Sequence, residues 1–212
     1  MVIAIDGPAG AGKSSVARAA ADALGFTYLD SGAMYRCVAL AGIERGVDLD
    51  DEALMGDLAG SLKIELAGAE VSLDGRDVTD AIRGPSVTEA ASRSSVHPPV
   101  REALVARQRE LIATGSYIAE GRDIGTVVSP DSPLKVFLTA SPQERAQRRA
   151  EQIGEPVEDV LAAQSERDAR DTEREHGALR AAADAVEVDT TGLSLEQVVT
   201  HVVELARERG LA

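Results

Sequence analysis

The chain has 212 residues, enough for one α/β domain with insertions and a sizeable core. A formal net charge of −14 argues against nucleic acid or an anionic membrane as the main partner, and no apolar run approaches the roughly 20 residues that span a bilayer. The only cysteine, Cys37, rules out an intrachain disulfide; it lies in the apolar run 37–40 and is expected in the core of a cytoplasmic protein.

Met1 leads straight into Val2-Ile3-Ala4-Ile5, an apolar, β-branched run with the look of a buried parallel strand, and no signal or transit peptide is expected ahead of it. Gly7-Pro8-Ala9-Gly10-Ala11-Gly12-Lys13-Ser14 follows and matches G-x-x-x-x-G-K-[ST] without a mismatch. The Ala-rich stretch from Ser15 to Leu24 reads as a helix. Strand, glycine loop and helix in that order make a nucleoside triphosphate site. The glycines let successive N–H groups turn inward, and the helix N-terminus adds partial positive charge. Lys13 is placed to reach the β- and γ-phosphates, and the Ser14 hydroxyl to ligate magnesium.

Phe26 to Leu29 reads as a second strand, ending at Asp30-Ser31-Gly32. Ala33 to Arg45 and Asp51 to Leu62 are predicted helices. Ile64, Leu66, Val71, Leu73 and Val78 then alternate with polar or small residues, and Gly68-Ala69 and Asp74-Gly75 supply turns. Lys63 to Val78 is therefore a small antiparallel meander inserted in a chain that otherwise alternates strand and helix. Helices over 85–95 and 98–114, strands at 117–119 and 134–138, and a helix from Ser141 with Glu144 completing a capping box come next. Beyond Gly154-Glu155-Pro156 a long charged helix is predicted from Val157 to Glu175, then a strand at 185–188 and a terminal helix from Ser194 to Arg209. Five candidate core strands separated by helices imply a parallel α/β sheet covered on both faces.

Only three of the 22 basic residues are lysines, Lys13, Lys63 and Lys135. The arginines gather in Ser31 to Arg36, at Arg101, in Glu120-Gly121-Arg122-Asp123, and in 167–174, where Arg167, Arg170, Asp171 and Arg174 share one helix face. Taken alone, that last cluster suits a solvated face of ion pairs. Beside a triphosphate loop it suits phosphoryl transfer, which needs arginine, lysine and magnesium around a migrating phosphate. His97, His176 and His201 show no metal-ligand spacing.

The motifs resemble those of the bacterial-type cytidylate kinases, which are P-loop nucleoside monophosphate kinases. The resemblance is carried by 5–14, by Leu29-Asp30-Ser31-Gly32-Ala33-Met34-Tyr35-Arg36, by Ala119 to Val128, by 144–149, by 166–171 and by Ala183-Asp184-Ala185. It implies an α/β P-loop NTPase fold: a five-stranded parallel core sheet flanked by helices, a small antiparallel sheet insertion and a short helical lid. It also implies a core of 1–30, 115–150 and 176–212, an acceptor-binding region at 31–114 and a lid at 150–166.

The implied reaction moves the γ-phosphoryl group of MgATP to CMP or dCMP. Gly7, Pro8, Ala9, Gly10, Ala11, Gly12, Lys13, Ser14 and Ser15 would hold ATP, with Arg148 near its adenine and Ser14 on magnesium. Ser31, Ser92, Arg101 and Arg174 would surround the cytosine, Arg36 and Arg122 would lie at the acceptor phosphate, and Asp123 would take another acceptor-site position. Arg167 and Asp171 would read the sugar hydroxyls, while Lys13, Arg122, Arg167 and Arg170 are the candidates for catalysis. Asp30 and Asp123 are the two candidates for a second magnesium contact. Two departures stand out: the 149–166 segment is short for the family, and Glu175 to Leu179 replaces a usual Pro-Leu pair. The expected partners are small molecules only, and the expected state is a monomer. A kinase for AMP, UMP or another small acceptor, and a nucleotide-dependent switch, are the competing readings.

Overall fold

Five apolar or strand-end positions in a row form β1 (Val2–Asp6), and all five are buried, as a strand covered on both faces requires. The computed structural model describes residues 1–211. The chain continues through α1 (Lys13–Leu24), β2 (Thr27–Asp30), α2 (Ser31–Arg45) and α3 (Glu52–Ser61). It then forms β3 (Ile64–Ala67), β4 (Glu70–Leu73), β5 (Arg76–Asp77), α4 (Pro85–Ser94) and α5 (Pro98–Ile112). The last elements are β6 (Tyr117–Gly121), β7 (Leu134–Thr139), α6 (Pro142–Ile153), α7 (Val157–Glu173), β8 (Val186–Asp189) and α8 (Leu195–Glu208).

Two compact units result, one made of Met1–Tyr28 with the chain from Gly115 onward, the other of Leu29–Thr114. The first holds the expected five-stranded sheet, in the order β2-β6-β1-β7-β8. β1 runs parallel to both neighbours, with Asp6 beside Gly121 of β6 and Ile5 beside Val136 of β7. Strand ends therefore deliver the glycine loop and the Arg122 segment side by side at one edge, where ligands of such sheets bind. Ile3, Ile5, Ile118, Leu134 and Leu138 form the sheet's share of the core, and Val198, Val202 and Ala206 bring the apolar stripe of α8 onto it.

The second unit has its own core, built from Met34, Cys37 and Val38 of α2, Met55 and Leu58 of α3, and Leu104 of α5, under the three-stranded sheet β3-β4-β5. Cys37 is fully buried, and burial pushes its thiol up to about 12, so it is core as expected. The Asp74-Gly75 turn joins β4 to β5 with both residues at positive φ, 51° and 82°, the conformation of a two-residue hairpin turn.

Four local features differ from the sequence reading. The charged helix expected to reach Glu175 ends at Glu173, so Arg174, its C-cap with extended backbone at ψ 141°, has left the helix whose face it was expected to share. α2 begins at Ser31 rather than Ala33, because the Asp30 carboxylate accepts from the Ala33 amide at 2.8 Å and caps the helix two residues earlier. The capping box at Ser141 is only half made. Ser141 Oγ accepts from the Glu144 amide at 3.3 Å, but the Glu144 carboxylate instead accepts from the Gly192 amide and pairs with Arg148. The complete box lies at Ser194 and Gln197, ahead of α8. A π-helical turn over Ile124–Val128, invisible in the sequence pattern, follows Asp123.

Candidate active site

β1 ends in the glycine loop because nothing larger than glycine fits there. A Cβ on Gly7, whose φ is +148°, would stand 2.1 Å from the Leu138 carbonyl oxygen of β7. At the loop's other end α1 starts with Gly12 as its N-cap, no side-chain cap and no acidic residue in its first turn. Its first N–H groups are thus left for an external acceptor, the arrangement that receives a phosphate. Ser14 and Ser15 are exposed on that turn.

Lys13 is buried, with Nζ donating to the Pro8 carbonyl at 2.7 Å. Burial first, then the Arg122 and Arg167 cations, push its ammonium down to about 7, against the opposing pull of Glu120 and Asp171. The two arginines outweigh the nearby carboxylates at Lys13, so an added anion at the loop would be favoured there. Glu120 is itself buried near the end of β6 and accepts a hydrogen bond from the Tyr28 hydroxyl.

The Arg122 segment is held from below by Asp6, the last residue of β1. Its two carboxylate oxygens accept from the Ile124 and Gly125 amides at 2.8 and 2.7 Å, fixing the π turn that follows Arg122 and Asp123. Burial pushes the Asp6 carboxyl up to about 6, helped by Asp123, while the two amide bonds and Lys13 oppose it. Arg122 Nε donates to Asp171 Oδ2 of α7 at 2.7 Å, with both side chains largely buried. Burial alone would lower the Arg122 pKa and raise that of Asp171. Their pairing reverses both: Arg122 is held above its ordinary value and Asp171 below.

Arg174 Nη1 lies 3.8 Å from Asp171 Oδ1, its Nε donates to the Gly177 carbonyl, and Arg167 adds to the field that lowers Asp171. Arg170 is half-buried one position away. The charged face of α7 is therefore not the solvated ladder its composition suits. Arg148 of α6 reaches Thr190 through both terminal nitrogens, at 3.0 Å to Oγ1 and 2.8 Å to the carbonyl; Thr190 Oγ1 in turn approaches the Ala11 carbonyl at 3.4 Å. The expected ATP residue thus stands behind the glycine loop, joined to it through Thr190.

In the second unit Ser31, Ser92 and Arg101 are buried, and Arg101 lies over the Tyr35 ring at 5.9 Å. Arg36 Nη2 donates to Asp30 Oδ2 at 2.9 Å, the carboxylate whose other oxygen caps α2. Arg36 Nε and Ser92 Oγ are buried with no hydrogen-bond partner, a state that an enclosed polar group rarely keeps unless a ligand or water completes it.

The family model for cytidylate kinase matches residues 3–208. The chain belongs to the cytidylate kinase family. It is 47% identical to the cytidylate kinase of Solibacter usitatus, over 99% of this chain and 93% of that protein. It is also 47% identical to that of Geobacillus kaustophilus, over 98% and 96%. A gluconokinase from Sinorhizobium meliloti superposes with a TM-score of 0.51 at 20% identity, covering 99% of this chain and 93% of that one, a likeness of fold alone.

Sequence reasoning gave no role to four residues that the structure bonds to the glycine loop or to the charged groups around it: Asp6, Glu120, Arg145 and Asp168. A signal existed for the first two, since a carboxylate inside or ending an apolar strand must be buried and therefore bonded. Arg145 and Asp168 lie inside the motifs 144–149 and 166–171, but nothing local marks them as partners. Each sits in a charged helical run, and only their meeting at 2.7 Å sets them apart.

Proposed function

We propose that this kinase transfers the γ-phosphoryl group of ATP to CMP or dCMP, giving ADP and CDP or dCDP. The observation that carries the reading is the buried Lys13, with the Arg122 and Arg167 cations acting on it, at the glycine loop of a cytidylate kinase family member. A phosphate oxygen of CMP attacks the γ-phosphorus in line, the new O–P bond forms as the bond to the β-phosphate bridging oxygen breaks, and ADP leaves. No general base is needed, because a phosphate monoester with its second pKa near 6 is already anionic at neutral pH. The work left to the protein is positioning and electrostatic cover. Lys13 and the loop amides from Gly7 to Ser15 hold the triphosphate, with Arg148 behind them. An incoming phosphate restores the Lys13 charge that burial has weakened.

Arg122, Arg167 and Arg170 cover the migrating phosphoryl group, and Asp123, Asp171 and Arg174 meet the acceptor. The family resemblance also assigns Ser31, Arg36, Ser92 and Arg101 to CMP, and within their own unit Ser92 and Arg36 keep atoms that lack a partner. The donor set fits magnesium, since the exposed Ser14 hydroxyl is the hard oxygen ligand that ion prefers. Ser14 would hold it, and its charge would neutralise phosphate oxygens. The reading extends to a monomer acting in the cytoplasm; among the described residues no helix is long and apolar enough to cross a membrane.

Release of ADP measured side by side with CMP, dCMP, UMP and AMP tests the proposal. The expected order places CMP and dCMP well ahead. Equal rates with AMP or UMP would overturn the acceptor assignment, and nucleotide binding without acceptor-stimulated ADP release would favour a switch.

A further inference from the structure

We propose that Arg145 is a positioning residue that couples the glycine loop to α7, so that filling the loop with triphosphate sets the station of the acceptor-binding residues on that helix. The inference rests on the kinase reading above. Arg145 is not among the groups assigned above to either nucleotide. It stands near the start of α6 with its guanidinium almost wholly enclosed, the side chain being 7% exposed.

Its nitrogens reach three separate segments. Nε donates to the Ala140 carbonyl at 3.1 Å, in the connection between β7 and α6. Nη1 donates to the Ala9 carbonyl of the glycine loop at 3.0 Å, and also to Asp168 Oδ2 of α7 at 2.7 Å. A single nitrogen therefore bridges the loop and the helix. The backbone takes part as well: the Arg145 carbonyl accepts from Gln164 Nε2 at 3.2 Å, one helical turn before Asp168. The loop apex rests directly on this joint, since a Cβ on Gly10 would lie 2.9 Å from Arg145 Cβ and 3.1 Å from Gln164 Nε2.

Two physical consequences follow from this geometry. In a trans peptide the C=O and the next N–H point opposite ways, so gripping the Ala9 oxygen turns the Gly10 N–H away from Arg145. Arg145 thereby aims a loop donor. Asp168, for its part, lies between Arg167 and Asp171 on α7, and Asp171 is the partner of Arg122. Any change in how the loop holds Ala9 is felt at Asp168 and so along the helix that carries Arg167 and Asp171. Asp168 Oδ1 is buried without a partner, so the carboxylate is tied on the Arg145 side and has no second hydrogen bond to keep it there. A rigid planar fork serves this joint; a lysine ammonium keeps the charge but cannot span the three acceptors in one plane.

The test uses the full chain and measures CMP affinity by calorimetry, alone and with a saturating non-hydrolysable ATP analogue and magnesium. In the wild type the analogue should tighten CMP at least about fivefold, the lower range of ordinary site-to-site coupling. Arg145→Lys should bring that ratio to within about twofold of unity while leaving the affinity for CMP alone within about twofold of wild type. Asp168→Asn should do the same, and it carries the test if the Arg145 variant fails to fold. A residue with a merely structural role would lower the melting temperature without moving the ratio. The proposal is overturned by folded variants that keep the wild-type ratio, by a wild type with no ratio to lose, or by equal weakening with and without the analogue. A wild type that releases no ADP in response to CMP would instead overturn the kinase reading.

Discussion

Replacing Lys13 by methionine should abolish turnover and yet make the unliganded protein more stable. The Lys13 ammonium is buried and its pKa falls from an ordinary 10.5 to about 7. At ~1.4 kcal/mol per pH unit, that fall sets ~5 kcal/mol against the charged form below pH 7. Methionine fills similar space without charge, but it forfeits the hydrogen bond to the Pro8 carbonyl, worth ~1–2 kcal/mol. The net gain is ~3–4 kcal/mol, or ~6–16 °C in Tm for a chain of this length.

The sign of the pH dependence is fixed by the same shift. Between pH 7 and 10.5 the unfolded chain binds more protons at this site than the folded one, so wild-type stability rises with pH through that window. The advantage of the methionine variant is therefore full near pH 6 and fades toward pH 10. Asp6 contributes an opposite trend, losing stability as pH rises from 3.8 to about 6, which lies below this window. Thermal melts of both proteins at pH 6, 8 and 10 with chelator present, alongside ADP release with CMP, make the measurement. A variant no more stable than wild type at pH 6, or two proteins with parallel pH profiles, would refute the reasoning. Retained turnover would sink the assignment of the glycine loop.

Ser92→Ala removes a buried hydroxyl that has no partner in the unliganded chain, so Tm should stay level or rise slightly. The KM for CMP should climb ~10-fold, the worth of one good hydrogen bond, with KM for ATP unmoved; an unchanged CMP value would remove Ser92 from the acceptor site. Arg122→Met removes the 2.7 Å partner of the buried Asp171 carboxylate, leaving it Arg174 at 3.8 Å, and should cost up to ~3–5 kcal/mol by urea unfolding. Adding Asp171→Asn should recover much of that stability but none of the turnover, and recovered turnover would mean the pair is scaffold only. Gly56→Ala drives a Cβ to 2.4 Å from Pro99 Cβ where α3 meets α5, and should lower stability by ~1–3 kcal/mol; a neutral result would show that the second unit's core gives way easily.

Much of the fold was legible because its signals are local. The β-branched run before Gly7, the alternation from Ile64 to Leu73 and the Asp74-Gly75 turn each report on neighbours a few residues away. Errors fell at helix ends, where a single side chain decides. Asp30 moved the start of α2 by capping it, and Glu144 abandoned its box because Gly192 and Arg148 offered better partners. The π turn after Asp123 has no periodic signature. It exists because Asp6, more than a hundred positions earlier, offers two oxygens to its amides.

By itself the sequence determined the triphosphate loop, the class of fold and the family motifs, since each is a short pattern whose chemistry depends on residue type and spacing. Only the tertiary structure decided which charges are buried and with whom. Arg122 finds Asp171 across 49 positions, and Arg145 draws Ala9 and Asp168 onto one nitrogen. In sequence those residues read as exposed charge, the common fate of Arg and Asp on a helix. Their meaning reverses when the sheet edge and α7 close around them, because in a dry setting each charge must be paired or answered by a ligand. Lys13 shows both halves: its place in the motif was plain from the residues, while its weakened charge comes from burial among arginines that no local pattern brings together.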